Sequence, residues 1–247
     1  MKTRDRILNC ALELFNRDGE PNVTTLDIAN ELGISPGNLY YHFHGKEPLT
    51  MQLLERFQAD MAPLLDPPLE ARLDVEDYWL FLHLIVERMA QYRFLFQDLS
   101  NLASRLPRLA QGMRHWLNTL KRTLASLLAR LKALGQLRSD TPALGQLVEQ
   151  ITLTLLFSLD YQRILDQQGE VRLVVYQIMM LVAPHLQAQA RAALLSVVGP
   201  TLPADFQVDA IHGCDAGESL AQALHANGGF SHRFLDRSRH KQGFSSL

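Results

Sequence analysis

Residues 24–46 read TTLDIANELGISPGNLYYHFHGK, a pattern that predicts two short helices joined by a tight turn. Thr24, followed three residues on by Asp27, has the form of a capping box with Asp in place of the usual Glu, and opens the first helix. Leu26, Ile28, Ala29 and Leu32 supply its apolar side. Gly33 suits a left-handed turn position that a side chain disfavours. Ser35 is a good N-cap and Pro36 a good first residue for the second helix. Leu39 and Phe43, four apart, anchor that helix inward and leave Asn38, Tyr40, Tyr41 and His42 pointing wholly or partly outward. For the two tyrosines the alternative is that one of them seals the small core. Gly45 ends the helix, and Lys46 opens another.

Working outward, residues 3 to 18 carry Ile7, Leu8, Ala11, Leu14 and Phe15, the stripe of an amphipathic helix, and Gly19 stops it. Three helices with a glycine turn before the last make a helix-turn-helix. Its last helix is narrow enough for the major groove, where base edges present a readable pattern. Thr24, Thr25, Ser35 and Lys46 lie at helix starts, where free N–H groups and the positive dipole end suit phosphates.

Charge complicates that reading. The 247-residue chain has a formal net charge of -2. Residues 1–48 hold five Lys or Arg (Lys2, Arg4, Arg6, Arg17, Lys46) against seven acids (Asp5, Glu13, Asp18, Glu20, Asp27, Glu31, Glu47), also a net of -2. Phosphate contact then rests on hydroxyls, helix N-termini and a few cations, and the salt dependence of DNA binding is expected to be shallow. With 47% hydrophobic and 20% charged residues the composition is that of a globular protein with a sizeable core. Two cysteines, Cys10 and Cys214, make no disulfide framework. The longest apolar run is too short to span a bilayer and the N-terminus is not a signal peptide. A soluble, cytoplasmic protein without membrane association is the expectation.

From Leu49 to about Ser196 the chain reads as helical, with breaks at Pro63 to Pro68, Pro107, Gly135 to Pro142 and Gln168-Gly169. The segments between breaks are apolar over more than half their circumference, as in a bundle that encloses a cavity or meets a partner. Residues 143–165 and 171–186 are the most apolar. Their faces, with Leu147, Ile151 and Leu155 on one and Val175, Ile178, Met179 and Val182 on the other, read as half of a four-helix dimer interface. A simple monomeric core is the alternative. Aromatics cluster between Tyr78 and Phe96 and return at Trp116, Phe157 and Tyr161. Most are core; Trp79, His83, Phe94, Trp116, Phe157 and Tyr161 are the candidates for an apolar ligand pocket with few polar groups. His83 and Glu87 have metal-ligand spacing without a second pair, so no metal or other cofactor is expected. Seven basic residues and no acids lie between Arg108 and Arg138, the pattern of a solvated helix face. Beyond Val197, glycine and histidine accumulate and periodicity fades, which reads as an irregular, mobile tail.

Residues 5–49, above all GISPGNLYYHFHGKEPL, resemble the DNA-binding domain of the TetR family of bacterial regulators. Leu39, Tyr40, Tyr41, His42, Phe43 and Lys46 match that family's leucine-tyrosine-x-histidine-phenylalanine core and following lysine. Over roughly residues 1–190 the chain is similar to the PhaD-type regulators of polyhydroxyalkanoate genes. The resemblance implies an all-α fold: a helix-turn-helix domain (1–48), a helical effector-binding and dimerisation domain (49–196), and a tail (197–247). It implies that Thr24, Thr25 and Lys46 grip phosphates and that Gly37, Asn38, Tyr40, Tyr41 and His42 face the DNA. It also implies a homodimer on a pseudo-palindromic double-stranded operator, and a fatty acid or acyl-CoA as hydrophobic effector. Control of an efflux or detoxification gene by another hydrophobic molecule is the alternative. No nucleophile-base-acid set or phosphate loop suggests an enzyme.

Overall fold

The computed structural model describes residues 2–66, 75–138, 144–165 and 171–198. Residues Met1–Leu194 form one compact unit. The remainder, Leu195–Leu247, clusters separately, and its described part is the last turn of a helix. The described residues contain no strand, only an isolated bridge between Leu137 and Leu186. The fold is therefore all-α, as expected. Pro67, Pro68, Asp74, Gln168, Gly169 and the tail from residue 199 lie outside the described residues.

Helix α1 (Thr3–Asp18) buries Ile7, Leu8, Ala11, Leu14 and Phe15. Cys10 is buried beside them, its thiol pushed up by desolvation and by the charges of Glu31 and Glu13. Helices α2 (Thr25–Glu31) and α3 (Pro36–His42) follow with the caps their sequence predicts. The Asp27 N–H donates to the Thr24 hydroxyl at 3.2 Å, and the Thr24 N–H donates to Asp27 Oδ2 at 2.8 Å. The Thr24 hydroxyl, which also donates to that carboxylate, and the Thr24 N–H together hold Asp27 below the usual carboxylate range. Gly33 sits at φ +64°, where a β-carbon is strained, and lets the chain turn between α2 and α3.

The larger body begins with α4 (Lys46–Leu65), followed by α5 (Val75–Gln91) with Glu76 and Asp77 in its first turn. Pro63 does not break α4 but lies in its last turn. Met61 and Leu65 on either side remain buried, and packing outweighs one lost backbone bond. Breaks that the sequence reading did not anticipate separate short helices α6 (Phe94–Gln97) and α7 (Leu99–Arg105) from α5. Pro107 then starts the long α8 (Pro107–Ala133), and α9 (Leu144–Ile164), α10 (Val171–Val182) and α11 (Ala188–Val198) complete the described chain. Helix α5 packs against α4 and α10, and α9 packs against α6, α8 and α10.

An aromatic knot ties these layers together. Phe57 of α4 meets Tyr92 at 5.5 Å, Phe96 at 5.6 Å and Trp116 of α8 at 5.1 Å between ring centroids. Phe94 meets Phe15 of α1 at 5.4 Å, so the knot also reaches the first helix. Asn16, near the end of α1, reinforces the junction: its amide donates to the Gln91 carbonyl and accepts from the Phe94 N–H.

Candidate nucleic-acid interface

Helix α3 is held from behind and open in front. Leu39 and Phe43 are 2% and 3% exposed, and the Arg4 guanidinium covers the Phe43 ring at 4.7 Å. Their burial turns the remaining positions outward. Tyr40 is 61% and Tyr41 80% exposed, so neither tyrosine seals the core. Asn38 and Gly37 are exposed, and His42 is half-buried with its ring edge-on to Tyr41. Tyr40 packs in the same way on His44. The result is a polar-aromatic ridge with donors, acceptors and π-faces but little fixed charge.

The helix starts around it differ in how free they are. Ser35 is exposed and caps α3, its hydroxyl accepting from the Asn38 N–H at 3.2 Å. Thr25 is half-buried. Thr24 is exposed, but its hydroxyl donates to Asp27 Oδ2 at 2.6 Å. Lys46 does not stand free: its ammonium donates to the Glu20 carbonyl at 2.8 Å and lies 3.5 Å from the Glu20 carboxylate. Glu20, counted in sequence as one more repulsive acid, is buried in the turn between α1 and α2. Its second cation is Arg105, 85 residues away. Sequence spacing contains no signal for that pairing.

The six residues proposed from sequence as pocket lining divide between buried, half-buried and exposed positions. Trp79 and His83 stack at 5.3 Å, and Phe94 and Trp116 are buried. Phe157 and Tyr161 instead face outward from α9, 50% and 55% exposed, because the opposite face of that helix fills the core. Among the described residues, buried polar atoms without a hydrogen-bond partner include Tyr78 Oη, His83 Nδ1 and Trp116 Nε1. Desolvation pulls the His83 pKa down, with Glu87 opposing it, and burial pushes the Tyr78 hydroxyl up. No metal-holding group of His, Cys, Asp and Glu occurs among the described residues.

The residues assigned from sequence to a dimer interface need the same correction. Leu147, Ile151, Leu155, Val175, Ile178, Met179 and Val182 are all buried within the protomer. Helices α9 and α10 pack on one another and on α8 and α5, which uses up those faces. The apolar side chains left exposed on α9 are Leu153, Phe157, Tyr161 and Ile164.

A capped helix-turn-helix with an outward polar-aromatic ridge, joined to an all-helical body, defines a class of DNA-binding regulators. Comparison with known proteins narrows the class. Residues 7–52 match the model described as bacterial regulatory proteins, tetR family, and residues 56–194 match the model of a bacterial transcriptional repressor, TetR. The regulator UidR of Escherichia coli K12 is 27% identical over 170 residues, 68% of this chain and 83% of its own. A TetR-family transcriptional regulator from Marinobacter aquaeolei VT8 is 30% identical, with a TM-score of 0.74 over 82% of this chain and all of that one. SmeT in complex with triclosan shares the fold, with a TM-score of 0.55 at 18% identity over 76% of this chain and 93% of that one. The chain belongs to the TetR family of helix-turn-helix transcriptional regulators.

Proposed function

We propose that the protein acts in the cytoplasm as a homodimer that reads a pseudo-palindromic operator with two copies of α3 and releases or engages it in response to a hydrophobic effector. The observation that carries this reading is the outward ridge of Asn38, Tyr40 and Tyr41 on a helix anchored by Leu39 and Phe43. Asn38 reads a base edge, with an adenine edge the best match to its amide. Gly37 allows close approach, Tyr40, Tyr41 and His42 face the DNA, and Thr24, Thr25, Ser35 and Lys46 contact the phosphates. The dimer forms through the exposed apolar stripe of α9. Two-fold pairing then sets the spacing of the reading heads. No helix among the described residues is long and apolar enough to cross a membrane.

The effector is a fatty acid or acyl-CoA and the controlled genes serve polyhydroxyalkanoate or fatty-acid metabolism, on the strength of the PhaD-type resemblance. The buried, unpartnered Tyr78 hydroxyl, His83 nitrogen and Trp116 indole N–H suit a mostly apolar guest with a few polar atoms. A second reading, control of an efflux or detoxification gene, is favoured by SmeT, described as the repressor of a multidrug efflux pump and solved with triclosan.

The test is retardation of the DNA upstream of the protein's own and neighbouring genes, with and without acyl-CoAs. Asn38→Ala is expected to weaken the retarded complex by about 1–3 kcal/mol per half-site, ~5- to 150-fold, while the melting temperature stays unchanged. Unchanged affinity for every fragment would remove Asn38 from base readout. The log-log salt slope of binding is expected to be well short of the value near -10 known for a strongly basic repressor. The acids of the head and the tethering of Lys46 by Glu20 leave few cations for phosphates. A slope as steep as that one contradicts the expectation.

A further inference from the structure

Glu20 is the one charged side chain that is buried among the described residues, with 1% of its side chain exposed. It lies in the short turn (Glu20–Asn22) that leads into α2, and it holds two cations. Arg105 Nη2, from the last residue of α7, donates to one carboxylate oxygen at 2.5 Å. Lys46 Nζ, from the first residue of α4, lies 3.5 Å from the other. Arg105 is itself lined up along α7: its Nε donates to Asn101 Oδ1 at 3.0 Å, and Asn101 Nδ2 donates to Asp98 Oδ2 at 2.8 Å. A continuous polar chain therefore runs from the α6–α7 corner to the N-terminus of α4. A cleft lined by Asn16, Asp18, Glu20, Phe94, Asp98 and Arg163 opens beside Glu20 and Asp98.

A buried carboxylate tolerates the loss of one cation only while it keeps another, because an unpaired buried charge is strongly destabilising. Lys46 lies four residues past the end of α3, at the positive end of a 20-residue helix. An anion docked beside α3 competes there for its ammonium. We propose that Glu20 is a charge-sharing latch: with Arg105 seated, Glu20 can release Lys46 to a DNA phosphate, and with Arg105 withdrawn by a movement of α7, Glu20 retains Lys46 and DNA affinity falls. The device couples the helical body to the reading head through one buried carboxylate. It rests on the reading that α3 docks on DNA.

Two measurements test it separately. The first needs no DNA: the rate of reductive methylation of Lys46, read by mass spectrometry, in the wild type, Glu20→Gln and Arg105→Gln. Glu20→Gln is expected to speed labelling of Lys46 about tenfold, and Arg105→Gln to slow it roughly threefold, as the carboxylate's remaining partner is held harder. Arg105 is 41% exposed, so its replacement leaves the core intact. Arg105→Gln that leaves Lys46 labelling unchanged, or speeds it, overturns the latch. The second measurement is binding to a short duplex taken from upstream of the protein's own gene. Arg105→Gln is expected to weaken binding about tenfold and Arg105→Lys to restore part of the loss. In the Glu20→Gln background the Arg105 effect should vanish, which a double-mutant cycle reads directly. An equal loss with and without Glu20 also overturns the latch. A wild type that retains no duplex counts against DNA binding, while the labelling rates still decide the latch.

Discussion

Phe157→Glu is expected to convert the protein from a dimer to a monomer and to weaken binding to a two-half-site operator by ~10²–10⁴-fold, the usual gain from linking two weak sites. Leu153, Phe157, Tyr161 and Ile164 occur at intervals of four, four and three along α9, and they are 55%, 50%, 55% and 72% exposed. At a rise of ~1.5 Å per residue this is a stripe about 16 Å long. A contiguous apolar stripe of that length is unusual on a monomer and is characteristic of a surface that another chain covers. Around a two-fold axis the same residue comes from both protomers, so one substitution introduces two carboxylates into one apolar contact. Because Phe157 points away from its own core, the monomer should keep its helical circular dichroism. Light scattering after size exclusion gives the answer, and a Phe157→Glu protein that still elutes as a dimer at micromolar concentration removes this face from the interface.

Phe57→Ala is expected to cost about 3–5 kcal/mol of stability, the range for emptying a buried aromatic site. Phe57 is fully buried at the centre of the knot, with Tyr92, Phe96 and Trp116 edge-on around it. Two of those rings, Tyr92 and Phe96, come from the α5–α6 corner and the third, Trp116, from α8, and their other contacts keep them from all collapsing into the space. The Tyr92 hydroxyl donates to Asp60 at 2.6 Å, and Trp116 sits within the 27-residue α8. At ~2–4 °C per kcal/mol for a chain of this size, the melting temperature should fall by roughly 6–20 °C. Urea unfolding of the two proteins side by side checks it, and a loss below about 1 kcal/mol means that the knot is not a main source of stability.

The helix-turn-helix was legible because each of its determinants is local. The Thr24–Asp27 capping box spans four residues, Gly33 answers one backbone angle, and Ser35-Pro36 starts a helix by its own chemistry. Outward display of the recognition ridge was legible in part, since Leu39 and Phe43 marked the inner side while the two tyrosines stayed ambiguous.

Which face of α9 stays exposed was not legible, and the reason lies in α9 itself. That helix is apolar on nearly every side, so periodicity alone does not rank the face of Leu147, Ile151 and Leu155 against that of Leu153, Phe157 and Tyr161. Packing on α8 and α10 made the choice. The same holds for the aromatic pocket candidates, of which two turned out to belong to the outer stripe.

Sequence alone determined the reading head, its caps and the all-helical body, because hydrogen bonds closed within four residues and apolar spacing along a helix are properties of a segment. Tertiary structure alone decided which apolar faces were consumed in the core and that Glu20 is buried between Lys46 and Arg105. Those outcomes depend on which distant segment arrives, and a partner 85 residues away leaves no mark on the local pattern.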